Sequence, residues 1–258
     1  MKTLAALLLL IAAPAAAAPL RVASLNLCSD ELALRLAAPG QLVSVSRLGA
    51  NPDETQLAAR ARGLATNNGR VTDVITLAPD LVLSSRGDPN AAAMARRLGI
   101  RSIEIAEPGS FADVRANIRS VAAALGRRAA GAALIAEMDA ALAVPVRPRP
   151  AVLASGGGLT IASGGLAAQW LAHAGLQQQK VPRGQLDLER LLAAPPQILV
   201  LTSYRPQQVS ANQRWLQHPA LAALPASTRR ITTDGRAWTC LGPALASEIA
   251  RLRRVVGP

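Results

Sequence analysis

Residues 72–83 read TDVITLAPDLVL, and residues 189–200 read ERLLAAPPQILV. Each stretch has the pattern of a short helix, a proline break and a buried apolar strand, and the two align without a gap. A structural repeat would explain the match, but any helix–strand unit resembles another, so this alternative stays open. In either case the two stretches predict one α/β unit in each half of the chain.

The same alternation of strands and helices extends outward from both stretches. In the first half the predicted strands are Arg21–Leu25, Leu42–Val45, Leu81–Ser84 and Ser102–Ile105, and the predicted helices are Ser29–Ala37, Thr72–Ala78 and Asn90–Leu98. In the second half the predicted strands are Ala151–Ala154, Gln197–Thr202 and Arg230–Thr233, and the predicted helices are Gly164–Ala174, Leu186–Ala194 and Pro243–Val256. This alternation predicts an α/β fold with a mainly parallel sheet in each half.

The two halves are separated by helix-forming sequence. Residues 110–143 carry no strand signal and are interrupted once, near Gly126, before a proline-rich stretch at 144–150. We therefore predict an N-terminal α/β lobe over 19–125, a bridging helix over 126–145 and a C-terminal α/β lobe over 146–258. Ser29 or Asp30 is the predicted cap of the first helix.

The N-terminus has the pattern of a secretory signal. Lys2 is followed by an apolar stretch at 4–13 and by small residues at 15–18. The apolar run to Leu20 is also just long enough to be considered as a membrane anchor, although it contains Pro14. We predict a cleaved signal peptide over 1–18 and a periplasmic protein.

The chain is strongly basic, with a formal net charge of +12. This charge favours an anionic ligand or surface, although an arginine-rich composition can also reflect coding bias. The arginines are scattered and aromatic residues make up only 2% of the chain. Nucleic-acid binding is therefore excluded, since it is typically marked by basic runs interleaved with aromatic residues.

The two cysteines, Cys28 and Cys240, are candidates for a disulfide in an oxidising compartment. Two free thiols near a ligand are the alternative. The sequence carries no serine-hydrolase elbow and no phosphate-binding glycine loop. With His173 and His218 as the only histidines, a histidine-rich metal site is excluded. An exported hydrolase acting on an anionic substrate and a cationic envelope-binding protein remain as alternatives to a ligand-binding protein.

Several segments together resemble a known family. They are 21–34 (RVASLNLCSDELAL), 73–83, 98–100, the helix before Leu125-Gly126, 187–194, 218–224 (HPALAAL) and 236–240 (RAWTC). In order and spacing they resemble the helical-backbone class of periplasmic binding proteins, which serve ABC importers of ferric siderophores, haem and vitamin B12. The resemblance implies two lobes bridged by one long helix, with the ligand held in the cleft between them and little lobe motion.

The resemblance also implies a function and partners. We expect a monomeric, non-enzymatic protein without a cofactor of its own, which captures a ferric siderophore, haem or a corrinoid such as vitamin B12. It would deliver this chelate to an ABC permease through an acidic residue on each lobe. Glu189 matches that position in the second lobe. In the first lobe Thr72 stands there instead, with Asp73 beside it, which is a departure from the family pattern.

Ligands of open α/β sheets bind beyond the carboxyl ends of the strands, which selects the loops after the predicted strands. The candidate ligand-binding residues in these loops are Asn26, Cys28, Arg47, Arg86, Tyr204, Arg205, Arg236 and Trp238. Arginines would bind the acidic groups of a chelate and aromatic rings would pack on its plane, with Arg86 and Arg236 favoured. Each arginine could instead be a solvated loop residue, and Asn26 could make only a local turn bond. Trp170 is a predicted core residue, and Trp215 is expected to pack a helix.

Overall fold

A computed structural model of the protein, which describes residues 20–205 and 210–257, contains two separate parallel β-sheets. The first sheet has the strand order β3-β2-β1-β4-β5 and the second has the order β7-β6-β8-β9. The strands are β1 (Val22–Ser24), β2 (Leu42–Ser46), β3 (Ala65–Asn67), β4 (Leu81–Ser85), β5 (Arg101–Ile105), β6 (Arg149–Ala154), β7 (Leu176–Gln178), β8 (Ile198–Ser203) and β9 (Arg229–Asp234). The prediction of two parallel α/β lobes is confirmed.

Helices flank both sheets. They are α1 (Leu27–Leu36), α2 (Pro89–Arg97), α3 (Phe111–Ala124), α4 (Arg128–Leu142), α5 (Leu166–Ala172), α6 (Leu188–Ala193), α7 (Ala211–Leu216), α8 (Pro219–Ala222) and α9 (Ala244–Val256). Within the described ranges, none of these helices combines the length and the apolar character needed to span a membrane. The predicted signal peptide, residues 1–18, lies outside the described residues.

The two matching stretches occupy equivalent places in the two sheets. Strand β4, which ends the first stretch, pairs in parallel with β1, and β8, which ends the second, pairs in parallel with β6. Each is followed in its sheet by the last strand of the lobe, β5 or β9. The sheet topology therefore agrees with a structural repeat.

The predicted helix Thr72–Ala78 is wrong. The segment forms two 3₁₀ turns, Val71–Asp73 and Ile75–Leu77, and ends at Ala78 with a left-handed φ of 43°. Four of the five residues at 72–76 are β-branched and lose side-chain freedom in an α-helix, and Pro79 disfavours helical geometry at the residue before it. Strands β3 and β7 were not predicted, because each is a three-residue edge strand without an apolar run.

Helix α1 begins two residues earlier than predicted, and neither Ser29 nor Asp30 is its cap. Asn26 caps it instead: its Oδ1 accepts hydrogen bonds from the backbone N–H groups of Cys28 (3.1 Å) and Ser29 (3.0 Å). The Ser29 hydroxyl in turn accepts from the Asn26 N–H at 3.3 Å, which completes a capping box. The first turn of α1 is thereby fixed directly after the central strand β1.

Helix α4 connects the lobes, as predicted, after a break at Gly126 with φ of 68°. It packs on α3 of the first lobe and α9 of the second. One apolar cluster continues across this junction and includes Ile118, Met138 and the fully buried Trp170. The Phe111 ring of α3 meets Trp170 edge-on, with 4.9 Å between ring centroids. The two lobes therefore share a continuous core.

Cys28 and Cys240 form a disulfide, which settles the choice left open by the sequence, with 5.4 Å between their Cα atoms. Cys28 lies in the first turn of α1, and Cys240 lies in the segment between β9 and α9. The bond therefore joins the two lobes covalently, from the carboxyl end of the central strand β1 to the segment after the edge strand β9.

Two adjacent buried carboxylates of α1 hold the loop that follows β2. Asp30 accepts a hydrogen bond from the Ser46 N–H at 3.1 Å and another from the Ser46 hydroxyl. Burial raises the pKa of Asp30 to about 6, against the hydrogen bonds from Ser24 and Ser46 that lower it. Gly49 packs so closely on this carboxylate that a Cβ there would overlap it. The loop therefore needs both the acid and the glycine.

Glu31 holds the far end of the same loop. Its side chain is buried and accepts a hydrogen bond from the Thr55 hydroxyl at 3.2 Å. Burial raises the pKa of Glu31 to about 7, and the charge of Arg35 only partly opposes this. We call residues 46–57, which are anchored by these two carboxylates, the rim segment.

The disulfide should contribute much of the stability. The double variant Cys28→Ser/Cys240→Ser is expected to lower the free energy of unfolding by up to about 5 kcal/mol, because the bond closes a loop of 212 residues in the unfolded chain. Urea denaturation under non-reducing conditions measures this difference. Wild-type protein in reductant should match the variant. Equal midpoints with and without the bond would contradict the expectation.

The buried Glu31 should make stability depend on pH. The pKa of Glu31 in the folded protein, about 7, exceeds the ordinary value of 4.5. Its contribution to the free energy of unfolding is therefore fully present below pH 4.5 and is lost as the pH rises through 7. Between pH 5 and 7.5, wild type should lose roughly 2 kcal/mol more of its unfolding free energy than Glu31→Gln. Urea titrations at both pH values test this, with the exposed Glu189→Gln as control. An identical loss in wild type and Glu31→Gln would refute it.

Candidate functional site: the interlobe cleft

The loops at the carboxyl ends of the two sheets face each other across a cleft. In the first lobe they follow β1, β2 and β3, and in the second they follow β6, β8 and β9. The disulfide joins the two lobes beside these loops and lines a separate, smaller cavity. The cleft is the place where the strand-end rule locates a ligand in open α/β sheets.

A polar cavity of about 800 Å³ lies on the side of the first lobe. Its lining includes Arg47, Asn51, Glu54, Asn67 and Asn68, and the second lobe adds Arg205. We call it the arginine cavity. Its polar groups suit a ligand with acidic substituents.

A second cavity of about 660 Å³ lies on the side of the second lobe. Its lining includes Leu159, Ile161, Leu216 and Trp238, together with Tyr204. We call it the tryptophan cavity. Tyr204 and Arg205 are adjacent in sequence, and the Arg205 guanidinium lies 5.6 Å from the centroid of the Tyr204 ring. This pair of residues links the two cavities.

The rim segment contacts the second lobe through Glu54. The Glu54 carboxylate is almost fully buried, accepts a hydrogen bond from the Tyr204 hydroxyl and forms an ion pair with Arg205. Carboxylates are rarely buried without a partner of opposite charge. The two predicted ligand-binding residues are therefore engaged with an acid of the other lobe.

Two further contacts join the rim segment to the end of β9. The Gln56 side chain donates to Asp234 Oδ2 at 2.8 Å, and Arg236 Nη1 donates to the carbonyl oxygen of Pro52 at 2.6 Å. Arg236 also forms an ion pair with Asp234, with 2.6 Å between Nη2 and Oδ2. Partial burial raises the pKa of Asp234, but hydrogen bonds from Arg236 and Gln56 outweigh it and hold the pKa below its ordinary value. Arg236 thus holds the lobes together.

The other predicted residues differ in their placement. Trp238 lines the tryptophan cavity, and its Nε1 donates to the Thr233 hydroxyl at 2.9 Å. Arg47 lines the arginine cavity, is exposed, and donates to Asn68 Oδ1 at 3.1 Å. Arg86 is exposed at the end of β4 and lines neither cavity.

Asn26 lines the arginine cavity, but its Oδ1 is used to cap α1, which was the local alternative considered for it. Cys28 is in the disulfide and offers no thiol to a metal. Neither cavity is lined by a histidine: His173 packs on the Phe111 ring at 5.5 Å between centroids, and His218 accepts from the Ala220 N–H at 3.1 Å. No described residue therefore supplies a histidine base at the cleft.

Sequence reasoning did not identify Glu54, Asp234 or Gln56. The only available signal was the acidic pair Asp53-Glu54 after the turn-forming Asn51-Pro52, in a chain with few acids. Nothing in that pattern specifies a partner across the cleft.

Comparisons with known proteins agree with this architecture. A family model described as periplasmic binding protein matches residues 22–236. A solved structure of the periplasmic haem-binding protein BhuT in complex with two haems is 25% identical, with a TM-score of 0.68 over 91% of this chain and 96% of that one. None of the curated protein sequences matches the chain.

Two further solved structures share the fold. The periplasmic haem-binding protein RhuT from Roseiflexus sp. RS-1 is 23% identical, with a TM-score of 0.69 over 93% of this chain and 100% of that one. The periplasmic haem-binding protein HutB of Vibrio cholerae is 20% identical, with a TM-score of 0.72 over 93% of this chain and 99% of that one. With the family model covering most of its length and the fold in agreement, the chain belongs to the periplasmic binding protein family.

Proposed function

We propose that the protein is the solute-binding component of an ABC importer and captures an anionic metal chelate in its interlobe cleft, with haem as the first candidate. The observation that carries this proposal is the pairing of an arginine cavity with a tryptophan cavity in one cleft. The first offers guanidinium groups to acidic substituents, and the second offers aromatic and apolar surface.

Haem suits this combination chemically. Its planar macrocycle is apolar and would pack on Trp238 and Tyr204, while its two propionates would bind guanidinium groups such as those of Arg47 and Arg205. The 25% identity to BhuT, a haem-binding protein, supports the same ligand class. Anionic ferric siderophores satisfy part of this chemistry. Most side chains of a corrinoid ring are neutral amides, which make less use of the arginines.

Binding is tested by titrating the mature protein with haem, ferric siderophores and cobalamin at low salt, and by following absorbance and the midpoint of thermal unfolding. Saturable binding of haem with a rise in the midpoint is expected, because a ligand that binds only the folded state stabilises it. A folded protein that binds none of the three would overturn the proposed ligand class.

Arg47 should contribute to the affinity for haem. Arg47→Ala removes a guanidinium from the arginine cavity and is expected to weaken haem binding about tenfold, since hydrogen bonds to charged groups contribute roughly 1.5–3 kcal/mol. Arg86→Ala is the matched control, since Arg86 is an exposed arginine outside both cavities. An equal loss in the Arg86 variant would instead support the sequence-based assignment of Arg86 and argue against the arginine cavity.

Asp73 and Glu189 are the proposed docking residues for the permease. Both are exposed, and each lies in the helical segment that leads into an equivalent strand, Asp73 before β4 and Glu189 before β8. Asp73 also accepts a hydrogen bond from the Asn68 N–H at 2.9 Å, which orients its carboxylate. Asp73 can therefore act in place of the acidic residue that is missing at position 72.

Neutralising both docking residues should impair delivery without affecting capture. Asp73→Asn/Glu189→Gln is expected to reduce uptake into vesicles containing the permease several-fold, because exposed charges mainly steer and orient association. Its affinity for the chelate should remain that of wild type. Glu104→Gln, which neutralises an exposed acid on β5, is the control. Unchanged uptake by the double variant would remove both residues from the docking surface.

A further inference from the structure

We infer that Glu54 is a specificity-determining residue of the cleft, which competes with a carboxylate of the chelate for Arg205 and so disfavours carboxylate ligands relative to uncharged ones. The inference rests on the proposed function, since it concerns the same cleft. Glu54 then lowers the affinity of the cleft for anionic ligands, whereas the arginines around it raise this affinity.

Glu54 is buried against the second lobe. Only 2% of its side chain is exposed, although it lies in a loop. Its two polar partners, Tyr204 and Arg205, both come from the second lobe. Removing a carboxylate from water has a large desolvation cost. The Arg205 guanidinium and the Tyr204 hydroxyl offset this cost, so they hold the Glu54 carboxylate in its buried position.

The charges of the arginine cavity are balanced. Its lining contains two arginines, Arg47 and Arg205, and two acids, Asp53 and Glu54, so the lining is formally neutral. A ligand carboxylate that approaches Arg205 must come close to the Glu54 carboxylate. Arg205 is half-buried and Glu54 is buried, and two like charges that share one cation in such a place repel each other more strongly than they would in open water. Glu54 therefore opposes anionic ligands and leaves neutral ones unaffected.

Glu54 can be neutralised without releasing the rim segment. The segment stays attached to the first lobe through Ser46–Asp30 and Thr55–Glu31. It stays attached to the second lobe through Gln56–Asp234 and the contact of Arg236 with the Pro52 carbonyl. In Glu54→Gln the side-chain Oε1 can still accept a hydrogen bond from the Tyr204 hydroxyl.

The experiment compares wild type with Glu54→Gln for binding of haem and of its uncharged dimethyl ester, by absorbance titration at pH 7.5. Glu54→Gln is expected to bind haem about tenfold more tightly and to bind the ester with wild-type affinity. Glu107→Gln is the matched control, because it removes the same charge from an exposed acid that lines a separate, smaller cavity beside the disulfide. Its haem affinity should stay within twofold of wild type.

Two results would overturn the inference. If Glu54→Gln binds both porphyrins more weakly, Glu54 serves to hold the lobes around the ligand rather than to oppose its charge. If it binds both as wild type does, Glu54 has no effect on selectivity.

A second measurement separates this inference from the proposed function. If wild type binds neither porphyrin, the proposed ligand is wrong, but competition for Arg205 can still be measured with succinate against succinamide. Succinate should raise the unfolding midpoint of Glu54→Gln more than that of wild type, and succinamide should raise neither. Equal shifts in the two proteins would refute the competition.

Discussion

The two adjacent carboxylates near the start of α1 are the constraint on which the cleft depends. Asp30 and Glu31 are both buried, and a buried carboxylate is stable only where donors reach it. The donors come from Ser46 and Thr55, at the two ends of one loop. The hydrogen bonds that satisfy these acids therefore also fix the rim segment. The rim segment in turn contacts the second lobe through Pro52, Glu54 and Gln56.

Helix α1 also carries the covalent link between the lobes. Asn26 caps it, and Cys28 in its first turn bonds to Cys240 beyond β9. The cap, the disulfide and the buried acids lie within six consecutive residues, so the start of α1 carries both the covalent link to the second lobe and the anchors of the rim segment. A substitution in this turn would act on the cleft even where it contacts no ligand.

Much of the fold was predictable because its signals are local. Apolar runs and proline breaks identified seven of the nine strands found in residues 20–205 and 210–257, since buried parallel strands need apolar side chains on both faces. Strands β3 and β7 escaped because short edge strands need no such run. The turns at 71–77 were predicted as one helix because their spacing is helical, although their β-branched residues and the following Pro79 argue against it.

The candidate site was less predictable, because its charges are defined by pairing across the cleft. The sequence indicated arginines in the strand-end loops, and Arg47, Arg205 and Arg236 do lie at the cleft. It could not show that Arg205 meets Glu54, more than 100 residues away, or that Arg236 is engaged by Asp234 and Pro52. Such pairs depend on how the lobes meet, which no local pattern records.

Because these charges are paired across the cleft, the net charge of +12 does not by itself predict how tightly the cavity binds an anion. Long-range attraction depends on the summed charge, so the protein as a whole attracts anions. The affinity of the cavity for a ligand depends instead on the difference in interaction free energy when each guanidinium exchanges its present partner for the ligand. Because the shared core, α4 and the disulfide already join the lobes, little binding energy needs to be spent on closing them. Selectivity between ligands then depends on which ion pairs are exchanged on binding. An acid such as Glu54 can therefore influence selectivity as strongly as any of the arginines.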